Sequence, residues 1–126
     1  FGGKIEITAH ITELSGQLDV IDIESADLVA TRNNPNPLNK IPALEPESGQ
    51  LIIESKVTCE YLIKLTNRND LMPECRRIES FIRIALADGI TEAMPLIMYE
   101  QQYEKPSRVN ADWLHRQNQK VIGGLV

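Results

Sequence analysis

The sequence has 126 residues, a hydrophobic fraction of 42%, a charged fraction of 25% and a formal net charge of −5. These values are typical of one soluble globular protein. Because no basic stripe offsets the negative charge, they argue against binding to nucleic acid or to an anionic membrane surface. No apolar run has the length of a membrane span, and no signal peptide is visible. We therefore expect no nucleic acid and no membrane among the partners.

The first segment, residues 4–15, fits two patterns. It alternates apolar and polar side chains like a strand, and it also places Ile7, Ile11 and Leu14 on one helical face. The following Ser15-Gly16 suits the end of a helix. Periodicity alone leaves both interpretations open at this point.

The next elements follow one another at short intervals. Residues 18–23 alternate as a strand, and residues 25–31 suit a short helix capped by Ser25. Residues 33–37 form a loop by composition. Two short strands near 42–45 and 50–53 flank a turn that contains Ser48-Gly49, which predicts an antiparallel hairpin.

The rest of the sequence predicts helices. Residues 55–66 form a helix that Ser55 can cap. Residues 67–73 are polar at first and end in Leu71-Met72-Pro73, which predicts a linker between domains. Residues 77–101 keep a helical apolar spacing, and we expect Pro95 to kink that helix without ending it. A loop at 104–107 leads to a last helix that begins near Trp113.

The segment around the hairpin has the chemistry of a binding site. Pro42 cannot donate to a strand ladder, so it must begin a strand or lie on an edge. Its neighbour Ile41 is restricted to an extended conformation, which leaves its backbone groups available for pairing. Glu54 and Ser55 bring a carboxylate, a hydroxyl and free helix amides to one point. Together they predict a socket for an extended peptide with a charged head group.

The cysteines and histidines give no metal motif. Cys59 and Cys75 have neither redox nor zinc spacing, and His10 and His115 lack a second ligand at metal-binding spacing. Cys59 reads as a small buried filler. We expect no metal, and a reducing cytoplasm is the expected compartment because no disulfide is indicated.

The segments Asn36-Pro-Leu-Asn-Lys-Ile-Pro-Ala-Leu44, Glu54-Ser55 and Glu60-Tyr-Leu62 resemble the glutathione transferase family. The likeness continues through Ala87-Asp-Gly-Ile-Thr-Glu-Ala93 and into the last helix. It departs from the family at Asn39, where glycine is usual, but Asn tolerates positive φ better than other side chains do.

The resemblance implies a fold, an activity and a site. The fold is an α/β thioredoxin-like N-terminal domain followed by an all-α C-terminal domain, with boundaries at 1–66, a linker at 67–73, and 74–126. It implies that residues 4–15 are helical. The activity is conjugation of the glutathione thiolate to a small hydrophobic electrophile, or related thiol chemistry, in a cytoplasmic homodimer. Glutathione is the co-substrate, and its binding residues are Lys40, Ile41, Pro42, Glu54 and Ser55.

The resemblance also implies a cis Ile41-Pro42 bond and a catalytic Ser, Cys or Tyr upstream of Phe1. On this interpretation the first strand and the last helices of the family lie outside the sequence. Simpler interpretations stay open: Lys40 can be plain surface, and Glu54-Ser55 only a helix cap. The alternative function is a transferase-like module that binds glutathione or a partner without turnover. An unrelated helical interaction domain is the third and weakest interpretation.

Overall fold

The computed structural model describes residues 2–21, 34–103 and 108–126. The chain divides into two compact units, Phe1–Glu74 and Cys75–Val126. Within the described residues, the first unit holds two α-helices, a short 3₁₀ helix at Ser15–Gln17 and a two-stranded sheet, and the second holds two long α-helices. The domain limits at 1–66 and 74–126 stay a prediction, because the division into units does not assign the linker.

The first helix, α1, spans Gly2–Ile11. The helical interpretation of this segment is therefore correct, but the helix ends before Ser15-Gly16. Glu13 takes a left-handed φ of 61°. The Leu14 amide then donates to the Ala9 carbonyl at 2.8 Å, and the Glu13 amide donates to the His10 carbonyl at 3.1 Å. This hydrogen-bond pair is a Schellman motif, which closes a helix without glycine here.

The predicted hairpin is present as strands β1 (Ala43–Leu44) and β2 (Ile52–Ile53). They pair antiparallel, with Ala43 opposite Ile53 and Leu44 opposite Ile52. Gly49 takes a φ of 75° in the turn between them. Glycine adopts that conformation more readily than any other residue, so the Ser48-Gly49 turn signal was informative.

Helix α2 spans Ser55–Leu65, close to the predicted 55–66. Its N-cap residue is Glu54 and not Ser55, and no side chain caps it. The N-cap position requires non-helical backbone angles, and Glu54 has them, with φ 75° and ψ 125°. Asn67, at φ 55°, ends the helix in a second Schellman motif, in which the Arg68 amide donates to the Ile63 carbonyl.

Helices α1 and α2 form the core of the first unit. Ala9, Leu14 and Leu62 are buried together, and four further apolar side chains pack against them: Ile5, Leu18, Leu44 and Tyr61. Full burial of a Leu side chain contributes about 1.5–3 kcal/mol. This core fixes α1 beside α2 and next to the hairpin.

Arg68 ties the end of α1 to the chain that follows α2. Its Nη1 donates to the Ile11 carbonyl at 2.8 Å, and its Nε and Nη2 hold both Asp70 carboxylate oxygens at 2.8 and 2.9 Å. The hydrogen bond from Arg68 lowers the pKa of Asp70, and the same contact raises the pKa of Arg68. Because the Arg68–Asp70 pair is exposed, it contributes little to the free energy of folding. Its main effect is to orient the C-terminal end of α1.

The second unit is a helical hairpin. Helix α3 spans Arg77–Tyr103 and runs through Pro95 without ending, as expected, and α4 spans Ala111–Leu125. Asn110 caps α4 by accepting from the Trp113 amide at 2.9 Å. The helices are antiparallel, because Gly124 lies against Ile90 while residues 118 and 121 share a groove with residues 94–102.

One predicted strand is not found. The described part of the predicted strand at 18–23 ends at Ile21, and residues 18–21 belong to no strand. Leu18 is extended, at φ −99° and ψ 125°, but a strand also requires a hydrogen-bonded neighbour, and no described segment supplies one. The predicted helix at 25–31 lies outside the described residues.

Candidate functional site

The loop before the hairpin is held by a buried asparagine. Asn36 is 5% exposed. Its Oδ1 accepts from the Leu38 amide at 2.9 Å, and its Nδ2 donates to the Lys40 carbonyl at 2.8 Å. Asn34 adds a longer bond, 3.3 Å from its Nδ2 to the same carbonyl. The loop therefore has its own internal framework, which ends at Lys40.

Asn39 closes the turn inside this loop. Its φ is 54°, and its amide donates to the Asn36 carbonyl at 2.8 Å. The sequence departs from the usual glycine at this position, and the left-handed conformation is nevertheless kept. Asn is the non-glycine residue best suited to it, as expected.

The Ile41-Pro42 bond is cis, which confirms the prediction made from the resemblance. Pro42 directly precedes β1, in agreement with its lack of an amide donor. The Ile41 side chain is 45% exposed. Among the described residues, neither the amide nor the carbonyl of Ile41 has a hydrogen-bond partner. An extended ligand can therefore pair with this backbone in the manner of an added strand.

A cavity of about 340 Å³ lies against these residues. Ile41 and Pro42 line it on one side, and Gly2, the first residue of α1, lines it on another. The N-terminal end of a helix carries unpaired amides and a positive partial charge, which stabilise an anion. The unpaired backbone of Ile41 and the first residue of α1 thus line one space.

Glu54 and Ser55 meet at the start of α2. The Ser55 hydroxyl donates to Glu54 Oε1 at 3.2 Å, and Ser55 is 1% exposed while Glu54 is exposed. The Glu54 carbonyl accepts from both the amide and the hydroxyl of Thr58, each at 3.0 Å. Because no side chain caps α2, its first amides are not satisfied by a cap. A carboxylate and a helix N-terminus therefore stand side by side.

The structure places four of the five predicted site residues in two groups. Ile41 and Pro42 are on the cavity, and Glu54 and Ser55 are at the α2 N-terminus. Thr58 connects them, since it lines the cavity and holds the Glu54 carbonyl.

The fifth predicted residue, Lys40, directly precedes Ile41 and is exposed. Lys40 is not among the residues that line the cavity beside Ile41 and Pro42. Its position as a ligand contact is thus the least supported of the five.

Sequence reasoning missed three residues of this region: Asn36, Thr58 and Gly2. Asn36 precedes a proline in a turn-rich segment, and that Asx-turn signal could have identified it. Thr58 had no such signal, because its role depends on contacts that only the folded chain creates.

In the part of the chain that the structure describes, the cysteines and acidic residues form no metal centre. Cys59 and Cys75 are free. The Cys59 sulfur, half-buried between α1 and α2, accepts from the Thr8 hydroxyl at 3.3 Å. In the described ranges no three His, Cys, Asp or Glu side chains are grouped as a metal site would need. Nor is any helix in those ranges long and apolar enough to cross a membrane.

The chain is similar to known proteins, although no protein-family model matches it. It is 31% identical over 97 residues to the uncharacterized GST-like protein YibF of Escherichia coli K12, a match that covers 71% of this chain and 45% of that protein. The chain thus spans less than half the length of this curated relative.

Two solved structures of a glutathione transferase family member from Pseudomonas fluorescens Pf-5 share the fold. One holds bound glutathione; it has a TM-score of 0.83 and 32% identity, and the match covers 97% of this chain and 62% of that chain. The other holds S-(propanoic acid)-glutathione, with a TM-score of 0.81 and 31% identity over 97% and 60% of the two chains. This chain therefore belongs to the glutathione transferase family and has part of its architecture, an α/β thioredoxin-like domain followed by an all-α domain.

Proposed function

We propose that this protein binds glutathione at the residues around Ile41 and Glu54. One observation carries the proposal: the unpaired Ile41 backbone beside cis-Pro42 shares a cavity with the α1 N-terminus. The glutathione held by the Pseudomonas fluorescens relative supports it, because that protein shares the fold over 97% of this chain.

The proposed contacts follow from the charges of the tripeptide. The Ile41 amide and carbonyl pair with the cysteinyl residue as a strand would. Glu54 receives the γ-glutamyl ammonium. The Ser55 hydroxyl and the amides at the α2 N-terminus receive the γ-glutamyl carboxylate. Pro42 fixes the turn, and Lys40 provides the positive charge for the glycyl carboxylate.

The proposed reaction uses the thiolate of glutathione. A free thiol has a pKa of about 8.5, so at neutral pH it is mostly protonated. The positive end of α1 favours the anion, since Gly2 lines the same cavity as Ile41. The thiolate then attacks the electrophilic carbon of a small hydrophobic substrate, forming a carbon–sulfur bond while the leaving group departs with its electron pair. A hydroxyl or thiol upstream of Phe1, which would stabilise the thiolate, stays a prediction.

A second function is a glutathione-binding module without turnover. The fold is compatible with it, because one fold can host both catalytic and non-catalytic proteins. In both functions the protein acts in the cytoplasm, and we propose that it is a homodimer.

Turnover separates the two functions. The complete native protein is incubated with glutathione and an activated aryl chloride, and thioether formation is followed by absorbance while calorimetry measures glutathione binding. A transferase shows a rate that saturates in glutathione and in the aryl chloride. Binding with no rate above the uncatalysed reaction supports the module, and the absence of glutathione binding contradicts both.

A further inference from the structure

We infer that Asn36 is a positioning residue of the glutathione site, which aims the Ile41 amide at the ligand from a place that the ligand never touches. The inference rests on the proposed function. Asn36 is buried, and it stands five positions before Ile41 in the loop that leads to cis-Pro42.

Both polar atoms of the Asn36 side chain bond to its own loop. Its Oδ1 accepts from the Leu38 amide at 2.9 Å, and its Nδ2 donates to the Lys40 carbonyl at 2.8 Å. Its backbone amide donates to Asn34 Oδ1 at 2.9 Å, and its carbonyl accepts from the Asn39 amide at 2.8 Å. The two side-chain bonds hold the buried amide group in one orientation, because breaking either leaves a desolvated polar group.

The bond to the Lys40 carbonyl has a consequence for Ile41. The Lys40 carbonyl and the Ile41 amide belong to the same peptide group, which is trans. Because that group is planar, its N–H points away from its C=O. Anchoring the Lys40 oxygen to Asn36 therefore directs the Ile41 N–H to the opposite side. There it has no hydrogen-bond partner among the described residues. The donor proposed for the cysteinyl carbonyl is thus oriented before the ligand arrives.

Asn36→Asp tests this with little change of shape. Aspartate keeps the acceptor for the Leu38 amide, but it cannot donate to Lys40 and places a second oxygen against that carbonyl. We expect the glutathione Kd to rise about tenfold, which corresponds to the loss of one hydrogen bond's orienting effect. The KM of the electrophile should stay unchanged, since that substrate makes no use of the Ile41 amide.

Asn118→Asp is the matched control. Asn118 is exposed, and its Nδ2 also donates to a backbone carbonyl, that of Leu114, at 2.9 Å on α4. Asn118→Asp makes the same chemical change outside the proposed glutathione site, so the glutathione Kd should stay unchanged. A second variant, Asn36→Ser, keeps an acceptor for the Leu38 amide but is too short to donate to Lys40, and it should weaken binding like Asn36→Asp.

The outcomes are separable in the complete native protein. The inference is supported if the wild type binds glutathione and Asn36→Asp binds it about tenfold more weakly. The Ile41 amide resonance in nitrogen-15 spectra should also change in the variant. Wild-type binding with an unchanged Kd in Asn36→Asp overturns it and leaves the proposed function standing. Unfolding of both Asn36 variants would show a general structural role and also overturn it. If the wild type binds no glutathione, the proposed function fails first and the inference fails with it.

Discussion

At the scale of single residues, four non-glycine residues in the described part of the chain have a positive backbone angle φ: Glu13, Asn39, Glu54 and Asn67. Asparagine accepts this conformation at small cost, whereas glutamate does not. Glu13 adopts it to end a helix. Glu54 adopts it beside the proposed ligand, with an exposed carboxylate and φ 75°, ψ 125°. Backbone outliers of this kind concentrate at functional sites, so Glu54 is where the local strain coincides with the proposed chemistry.

Replacement of Glu13 by glycine should stabilise the protein. The left-handed φ of 61° at the end of α1 suits a residue without Cβ, so Glu13→Gly should raise the free energy of unfolding by about 0.5–1 kcal/mol. Urea denaturation, monitored by circular dichroism, measures this change in the free energy of unfolding. Glu13→Ala is the control, because it removes the same carboxylate but keeps Cβ. Equal stability of the two variants would show that the conformation of Glu13 carries no penalty.

Some residue-scale features could be predicted and others could not. The cis Ile41-Pro42 bond and the turn at Asn39 follow from the loop sequence and its family resemblance. The capping role assigned to Ser55 was wrong. Residue preferences identify Ser as a good N-cap, but they do not show that its hydroxyl bonds to Glu54 or that Glu54 has the non-helical backbone.

At the scale of elements, local signals identified those whose backbone hydrogen bonds join residues close together in the sequence. The hairpin and α2 have glycine, proline and apolar signals within a few residues, and both are present. The predicted strand at 18–23 depends on a neighbouring strand, which local pattern cannot supply, and its described part is unpaired. The end of α1 was misplaced for a related reason: its Schellman bonds use Glu13, a residue that composition does not mark as a terminator.

The contact between α3 and α4 depends on one of two adjacent glycines. A Cβ added at Gly124 would lie 2.7 Å from Ile90 Cγ1 and 2.9 Å from its Cδ1, whereas a Cβ at Gly123 would meet nothing within 4 Å. Both substitutions by alanine gain helix propensity. We therefore expect Gly123→Ala to be neutral or stabilising, and Gly124→Ala to be less stable than Gly123→Ala by about 1–3 kcal/mol, the usual effect of overpacking.

Chemical denaturation of the two glycine variants tests this contact directly. Because they are neighbours on α4, differences in propensity between them nearly cancel, and the remaining difference reports the Ile90 contact. Equal denaturation midpoints and equal slopes for the two variants would mean that α3 and α4 can move apart at Gly124 without a loss of stability. That result would contradict the close approach at Gly124.

At the scale of the whole molecule, α3 carries an apolar stripe that its own unit leaves uncovered. Ile78, Ile82 and Leu86 are 71%, 57% and 53% exposed, and their spacing of four residues places them along one side. Two other residues make contacts within the chain: Tyr61 packs on the core of the first unit, and Arg77 lies over the Phe81 ring at 5.2 Å. The stripe is therefore the better candidate for the seam between two copies.

Ile82→Lys should separate the proposed dimer. A stable twofold interface buries more than about 2,000 Å² and excludes unpaired charge from its centre. Light scattering on the complete native protein at micromolar concentration should give twice the monomer mass, and Ile82→Lys should give the monomer mass. Thr91→Lys is the control, since exposed Thr91 lies about 180° around α3. A monomeric wild type, or a variant that stays dimeric, contradicts this arrangement.

The central claim is that Glu54 and Ser55 hold the γ-glutamyl end of glutathione, and one titration tests it most directly. Isothermal calorimetry on the complete native protein compares the wild type with Glu54→Gln and Ser55→Ala, and with Glu47→Gln as an exposed control in the hairpin turn. We predict that each site variant loses about 1.5–3 kcal/mol of binding free energy, more than a tenfold change in Kd, with its circular dichroism unchanged. Glu47→Gln should bind as the wild type does. Unchanged glutathione affinity in folded Glu54→Gln and Ser55→Ala would contradict the claim.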